Sequence, residues 1–191
     1  MTTSTADDTE LWHRVLANDA TAYAELFDRH SARVYRRALG QLGNVHDAED
    51  VTAGAFLELW RKHRSVTLVA GSVLPWLLVT VVNLGRNQVR GLARYRAAIS
   101  AIPRTESAVD PADIVADQLD GSPIAQTVAR LGRVDAALLV LTAVEGFTTA
   151  EAAAALGMTP GAARMRLSRA RTRVRELHNH PLHTITEGDA S

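Results

Sequence analysis

Six arginines stand between Arg164 and Arg175, at positions 164, 166, 169, 171, 173 and 175, with no acid among them. Four more, Arg86, Arg90, Arg94 and Arg96, form a second acid-free run. A guanidinium keeps its charge at any physiological pH and matches phosphate oxygens with a fork of N–H donors. The chemistry these residues offer is recognition of a polyanion at two places, not bond making. The chain has no cysteine, which excludes thiolate metal sites, disulfides and cysteine nucleophiles. Its Ser, His and Asp residues form no nucleophile motif, so no enzyme is expected. His178, His180 and His183 are interrupted by Pro181 and follow the last helical pattern, so neither metal nor cofactor is expected there. His46, beside Asp47 and Glu49, is better explained by a helix start, where carboxylates are favoured.

The elements that must hold these groups follow from charge and periodicity. Lysine and arginine total 21, aspartate and glutamate also 21, so the net charge is zero. The average conceals a segregation. Acids gather at Asp7, Asp8 and Glu10, at Asp47, Glu49 and Asp50, and at Glu106, Asp110, Asp113, Asp117 and Asp120. Apolar residues make up 47% of the 191, enough for one mid-sized or two small cores. No basic, apolar leader opens the chain, so a cytoplasmic protein is expected.

Residues 1–97 read as a helical block. Asp19 suits an N-cap, and Tyr23, Leu26, Phe27, Val34, Ala38 and Leu42 then recur as one apolar face up to the stop at Gly43-Asn44. A second helix begins near His46 with three carboxylates in its first turn and ends in Arg61, Lys62 and Arg64. Ser65–Gly85 is uncharged, but Gly71, Ser72 and Pro75 break it. The pattern predicts an irregular loop and a buried helix of about ten residues rather than a membrane span. Residues 98–123, with three prolines and five acids, read as a flexible linker around one short helix near Ile114–Leu119.

The block 124–180 carries the clearest motif, and 181–191 is a tail. Leu131, Val134, Leu138, Leu139 and Leu141 supply a core face. Thr148-Thr149-Ala150-Glu151 has the form of a capping box, Gly157 a helix stop, and Thr159-Pro160 a new start. Short helix, glycine turn and longer helix make a helix-turn-helix. On the second helix Ala163, Leu167, Ala170, Val174 and Leu177 form the packing stripe. Met165, Ser168 and Thr172 lie opposite, between rows of arginines. That ridge suits a major groove, with Arg164, Met165, Ser168 and Arg169 near base edges and Arg171, Arg173 and Arg175 on phosphates. The expected fold is all-α: two small helical domains on a flexible acidic linker.

VEGFTTAEAAAALGMTPGAARMRLSRARTRVREL, within Leu131–Leu177, resembles the promoter-binding region 4 of bacterial extracytoplasmic-function (ECF) sigma factors. YAELFDRHSARVYRRALGQLGNVHDAEDVTAGAFLELWR and PWLLVTVVN, with the DAED signature, resemble region 2 of the same family. The resemblance implies a dissociable subunit of RNA polymerase. Asp47, Glu49, Asp50, Leu57 and Trp60 would then dock on the clamp of the large catalytic subunit. The loop Arg64–Leu74 would capture an unpaired base of the minus-ten element. Asn83 and Asn87 would lie near that base, and Arg86, Arg90 and Arg94 along the opened strand. Region 4 would read the minus-thirty-five duplex. Family members are commonly held by an anti-sigma protein, so such a partner is expected. Where many members carry Gln-Glu after DAED, this chain has Ala53-Gly54, and glycine costs a helix about 1 kcal/mol. A helix-turn-helix regulator that does not recruit polymerase is the alternative that this departure leaves open.

Overall fold

The computed structural model describes residues 7–100 and 131–179. Seven α-helices account for most of them: α1 (Asp8–Leu16), α2 (Ala20–Leu42), α3 (Val45–Lys62), α4 (Leu74–Ser100), α5 (Arg133–Leu139), α6 (Thr149–Ala155) and α7 (Pro160–Asn179). Most of the linker at 98–123, the short helix near Ile114–Leu119, the start of the second block, and the tail with His180 and His183 lie outside the described residues.

Side-chain caps set the helix starts. The Asp19 carboxylate accepts from the backbone N–H groups of Thr21 and Ala22, opening α2. Gly43, at φ 70°, closes α2 by returning its N–H to Leu39. Asn44 caps α3 by accepting from the N–H of Asp47, and of the three carboxylates expected in the first turn only Asp47 lies there.

Leu11, Val15, Leu26, Val34, Ala38, Leu42, Ala48, Ala55, Leu59, Leu77, Leu78 and Val81 are buried where α1–α4 meet. Phe27 departs from the expected apolar face: it is 40% exposed, and Tyr23 is half-buried. Both sit at the margin of that face, against aromatic residues of α3. α4 has 27 residues, not about ten, because its arginine-rich continuation keeps helical form with no proline to stop it. No helix among the described residues is long and apolar enough to cross a membrane.

In the second block α5 runs into a π-helical turn at Val140–Val144. Ala136–Leu141, Ala152, Ala153, Ala163, Leu167 and Ala170 are buried there. This core is continuous with the first, because α5 and α6 lie against α4. Arg33 of α2 strengthens the junction. Its Nε and Nη2 donate to a carboxylate oxygen and the carbonyl of Glu145, each at 2.9 Å, and its guanidinium lies 5.7 Å from the Phe147 ring centre.

Candidate nucleic-acid and protein interfaces

The helix-turn-helix is built as its local sequence dictates. The Thr148 hydroxyl accepts from the N–H of Glu151, whose carboxylate accepts from the N–H of Thr148, at 3.2 and 2.7 Å. The hydroxyl and backbone of Thr148 hold the Glu151 carboxyl below the usual carboxylate range. Gly157 turns the chain at φ 64°, and Thr159 accepts from the N–H of Ala162 at the start of α7. Ala163, Leu167 and Ala170 are buried beneath α7, and Val174 is half-buried.

The outward face carries Arg164, Met165, Ser168, Arg169, Arg171, Arg173 and Arg175, all exposed, with Met165 62% open to solvent. Arg166 donates to Asp135 of α5 at 2.9 Å and so braces α7 on its neighbour. No carboxylate of the described residues pairs with the other five arginines. Five fixed charges therefore flank a short polar and thioether ridge, the arrangement expected of a groove-reading helix.

On α4 the expected strand-binding set divides. Counting about 100° per residue, Asn83, Asn87, Arg90 and Arg94 fall within about 60° of arc, with Arg86 about 40° outside it. Asn87, Arg90 and Arg94 are exposed, and Asn83 is half-buried. Arg86 is only 2% exposed, and burial together with the charge of Arg90 lowers its pKa. Arg86, expected along the opened strand, lies within the packed interior in this conformation, while Asn87, Arg90 and Arg94 project outward.

Arg64 is exposed on the 3₁₀ turn His63–Ser65. The loop that follows is irregular, as expected, but it is pinned in place. Val66, Val69 and Val73 are buried and pin it, and Val69 and Ser72 exchange backbone hydrogen bonds of 3.0 and 3.1 Å. Its tip, Ala70-Gly71, takes the left-handed conformation at φ 50° and 73° and is exposed.

The expected protein-docking residues also separate. Asp47 is half-buried and accepts from Gln88 of α4 at 2.5 Å, whereas Glu49 and Asp50 are exposed. Leu57 and Trp60 are 58% and 37% exposed. Trp60 meets Tyr23 edge-on at 5.0 Å, and Phe27 meets Phe56 at 4.7 Å. Burial pushes the Tyr23 hydroxyl up to about 12, and it donates to the Phe56 carbonyl. Phe27 and Tyr23 extend this patch, though their spacing alone had placed them on the core face. Gly54 faces inward: a Cβ there would meet Leu84 of α4 at 3.3 Å, so the small residue permits close helix packing. Among the described residues no group of three or more His, Cys, Asp or Glu could hold a metal.

The sequence matches Sigma-70 region 2 over residues 26–95 and Sigma-70, region 4 over residues 121–174. The ECF RNA polymerase sigma factor SigE of Mycolicibacterium smegmatis is 31% identical over 160 residues, covering 81% of this chain and 61% of SigE. The chain thus spans about three fifths of SigE's length. The RNA polymerase sigma factor CarQ of Myxococcus xanthus is 30% identical over 159 residues, covering 82% of this chain and 88% of CarQ. Among solved structures, CnrH in complex with the cytosolic domain of CnrY matches with a TM-score of 0.59. It is 23% identical and covers 90% of this chain and 97% of that one, a likeness of fold.

Proposed function

The chain belongs to the ECF family of RNA polymerase sigma factors, and we propose that it binds core RNA polymerase and directs it to start transcription at selected promoters. It acts by binding, not by catalysis, and works in the cytoplasm, where polymerase and promoter are. The observation that carries this reading is the presence in one chain of two distinct DNA-suited surfaces. The α7 ridge suits duplex DNA. The Asn87–Arg90–Arg94 stripe with the ordered Ala70-Gly71 loop suits a single strand, where a positive groove and a polar pocket offset the few kcal/mol lost on unstacking a base. A regulator that only bound duplex would have no use for the second.

Leu57, Trp60 and Phe27, flanked by Glu49 and Asp50, form the surface we assign to the polymerase clamp. Aromatic anchors ringed by charge are what a protein interface concentrates. The inward placement of Gly54 supports this assignment, because the departure Ala53-Gly54 serves packing against α4 and leaves the docking residues exposed. An anti-sigma protein would cover the same patch, as suits a protein whose structural neighbour CnrH is seen bound to another chain.

The minus-ten and minus-thirty-five elements lie about 85 Å apart, taking roughly 25 base pairs at 3.4 Å each. With α5 and α6 against α4, both surfaces cannot be engaged at once, so the two blocks must part on the promoter. The thirty residues at 101–130 reach about 100 Å when extended.

Co-elution with core polymerase, followed by run-off transcription on fragmented genomic DNA, tests the proposal. A sigma factor co-elutes and starts transcripts at a discrete set of sites. A protein that binds DNA fragments yet neither co-elutes nor changes the transcripts is a regulator of the other kind.

A further inference from the structure

Asp8, in the first turn of α1, has its side chain 6% exposed and takes no part in the surfaces assigned above. Its two oxygens are divided among elements far apart in sequence. Oδ1 accepts from Nη1 of Arg29 at 2.7 Å, and Oδ2 lies 2.7 Å from Nε2 of the buried His30, both on α2. Oδ2 also accepts the Ser72 hydroxyl at 2.5 Å. That hydroxyl oxygen in turn accepts from the N–H of Leu74, the first residue of α4, at 3.2 Å. The neighbouring Thr9 donates its hydroxyl to the Gly71 carbonyl at 3.4 Å. One buried carboxylate thus joins α1 and α2 to the loop before α4, and through Ser72 to the start of α4 itself.

The loop needs such a tie. Ala70 has φ 50°, a conformation unfavourable for a residue with a Cβ, and such residues persist only where their surroundings over-determine them. The valines pin the stem of the loop, and the Val69–Ser72 bridge and the contacts to α1 hold the exposed tip. A buried carboxylate that receives three hydrogen bonds is rigid, because each donor restricts the others.

We propose that Asp8 is a positioning residue for promoter reading: acting through Ser72, it presents the Ala70-Gly71 tip preformed to the unpaired base of the minus-ten strand. This rests on the sigma-factor reading above. A preformed loop meets its base without the ordering cost that a mobile one incurs. Asp8 therefore sets both how readily the promoter opens and how strictly the base is discriminated, without touching DNA.

The test uses the full chain with core polymerase and the variants Ser72→Ala, Ser72→Thr and Asp8→Asn. Permanganate reactivity of promoter thymines reports opening. Competition among pre-melted templates that differ in the minus-ten base reports discrimination. Ser72→Ala keeps helicity, co-elution and duplex binding, while opening falls about five- to tenfold, as expected for loss of one positioned hydrogen bond. Discrimination narrows in parallel, Ser72→Thr restores both, and Asp8→Asn reproduces the alanine variant or exceeds it. Unchanged opening and discrimination in Ser72→Ala would overturn the proposal. So would their loss together with co-elution and helicity, which marks a general structural role. Amide exchange of residues 66–73 in the free chain separates the two levels of inference. If the unaltered chain opens no promoter, the sigma-factor reading fails and the loop loses its target. Faster exchange confined to that segment in Ser72→Ala still decides whether the carboxylate holds the loop.

Discussion

Replacing Arg33 with alanine should loosen the junction between the two helical blocks by an amount the structure allows to be worked out. The guanidinium is 41% exposed and the Glu145 side chain 11% exposed, so the ion pair is screened on one side only. At 2.9 Å and an effective dielectric near 20, the gross Coulomb energy is about 6 kcal/mol. Desolvation, side-chain ordering and solvent screening reduce this to about 1 kcal/mol. The bond to the Glu145 carbonyl and the contact with the Phe147 face contribute roughly 0.5 kcal/mol each. Arg33→Ala should therefore favour the open form by about 2 kcal/mol, a change of roughly thirtyfold. Glu145→Gln should cost about 1 kcal/mol, and the double variant should fall short of additivity by a similar amount. Since the chain has no cysteine, two can be introduced at exposed Glu49 and Thr172 for a pair of dyes, and energy transfer then reports the open fraction. The shift should shrink in high salt. Strict additivity of Arg33→Ala and Glu145→Gln, or a shift no greater than that of exposed Arg36→Ala, would refute the reasoning.

Other outcomes follow from the same structure. Gly85→Ala places a Cβ 2.5 Å from Nε2 of Gln41, displacing it from the Val82 carbonyl; thermal unfolding should register a loss of about 1–3 kcal/mol, while Gly91→Ala, with open space around it, should lose nothing. Burial raises the Asp8 carboxyl, but hydrogen bonds from His30, Ser72 and Arg29 outweigh it and hold the group well below the usual carboxylate range. Its contribution is therefore full above about pH 4, the unfolded value, and is lost as the solution becomes more acidic; Asp8→Asn should be less stable near neutrality and show a shallower acid limb in urea titrations. On duplex promoter DNA, Arg171→Ala should weaken binding to all sequences alike and lower the salt slope by about 1, whereas changing Arg169 should alter sequence preference. Leu57→Asp should abolish co-elution with core polymerase yet leave duplex binding by α7 intact, as gel filtration and fluorescence anisotropy can show.

The parts of the fold that were legible in the chain are those written in neighbouring residues. The Thr148–Glu151 box, the Asp19 cap, the Gly43 stop and the buried stripe Ala163–Leu167–Ala170 depend on spacings of three or four, and the structure has each of them. The outward arginines of α7 follow from the same geometry. Features set by distant partners were not legible. Phe27 sits at the edge of its face, and only the position of α3 leaves it exposed. Arg86 reads as one of a row of cations until packing buries it. Asp8 looked like one acid in an acidic start, since nothing local announces that Ser72, 64 residues away, will donate to it. Gly54 looked like a defect in a docking helix, yet its reason lies thirty residues on, at Leu84.

The outer row of α7 is built from guanidinium alone, and Lys62 is the chain's single ammonium side chain. Acetyl transfer, which erases charge from lysine amines, finds no acceptor along that row. Alkaline drift leaves it equally untouched, since arginine stays protonated throughout the range cells experience. Its grip on phosphate is thus insensitive to lysine acetylation and to alkalinity, and answers instead to ionic strength or to anything that physically hides the helix.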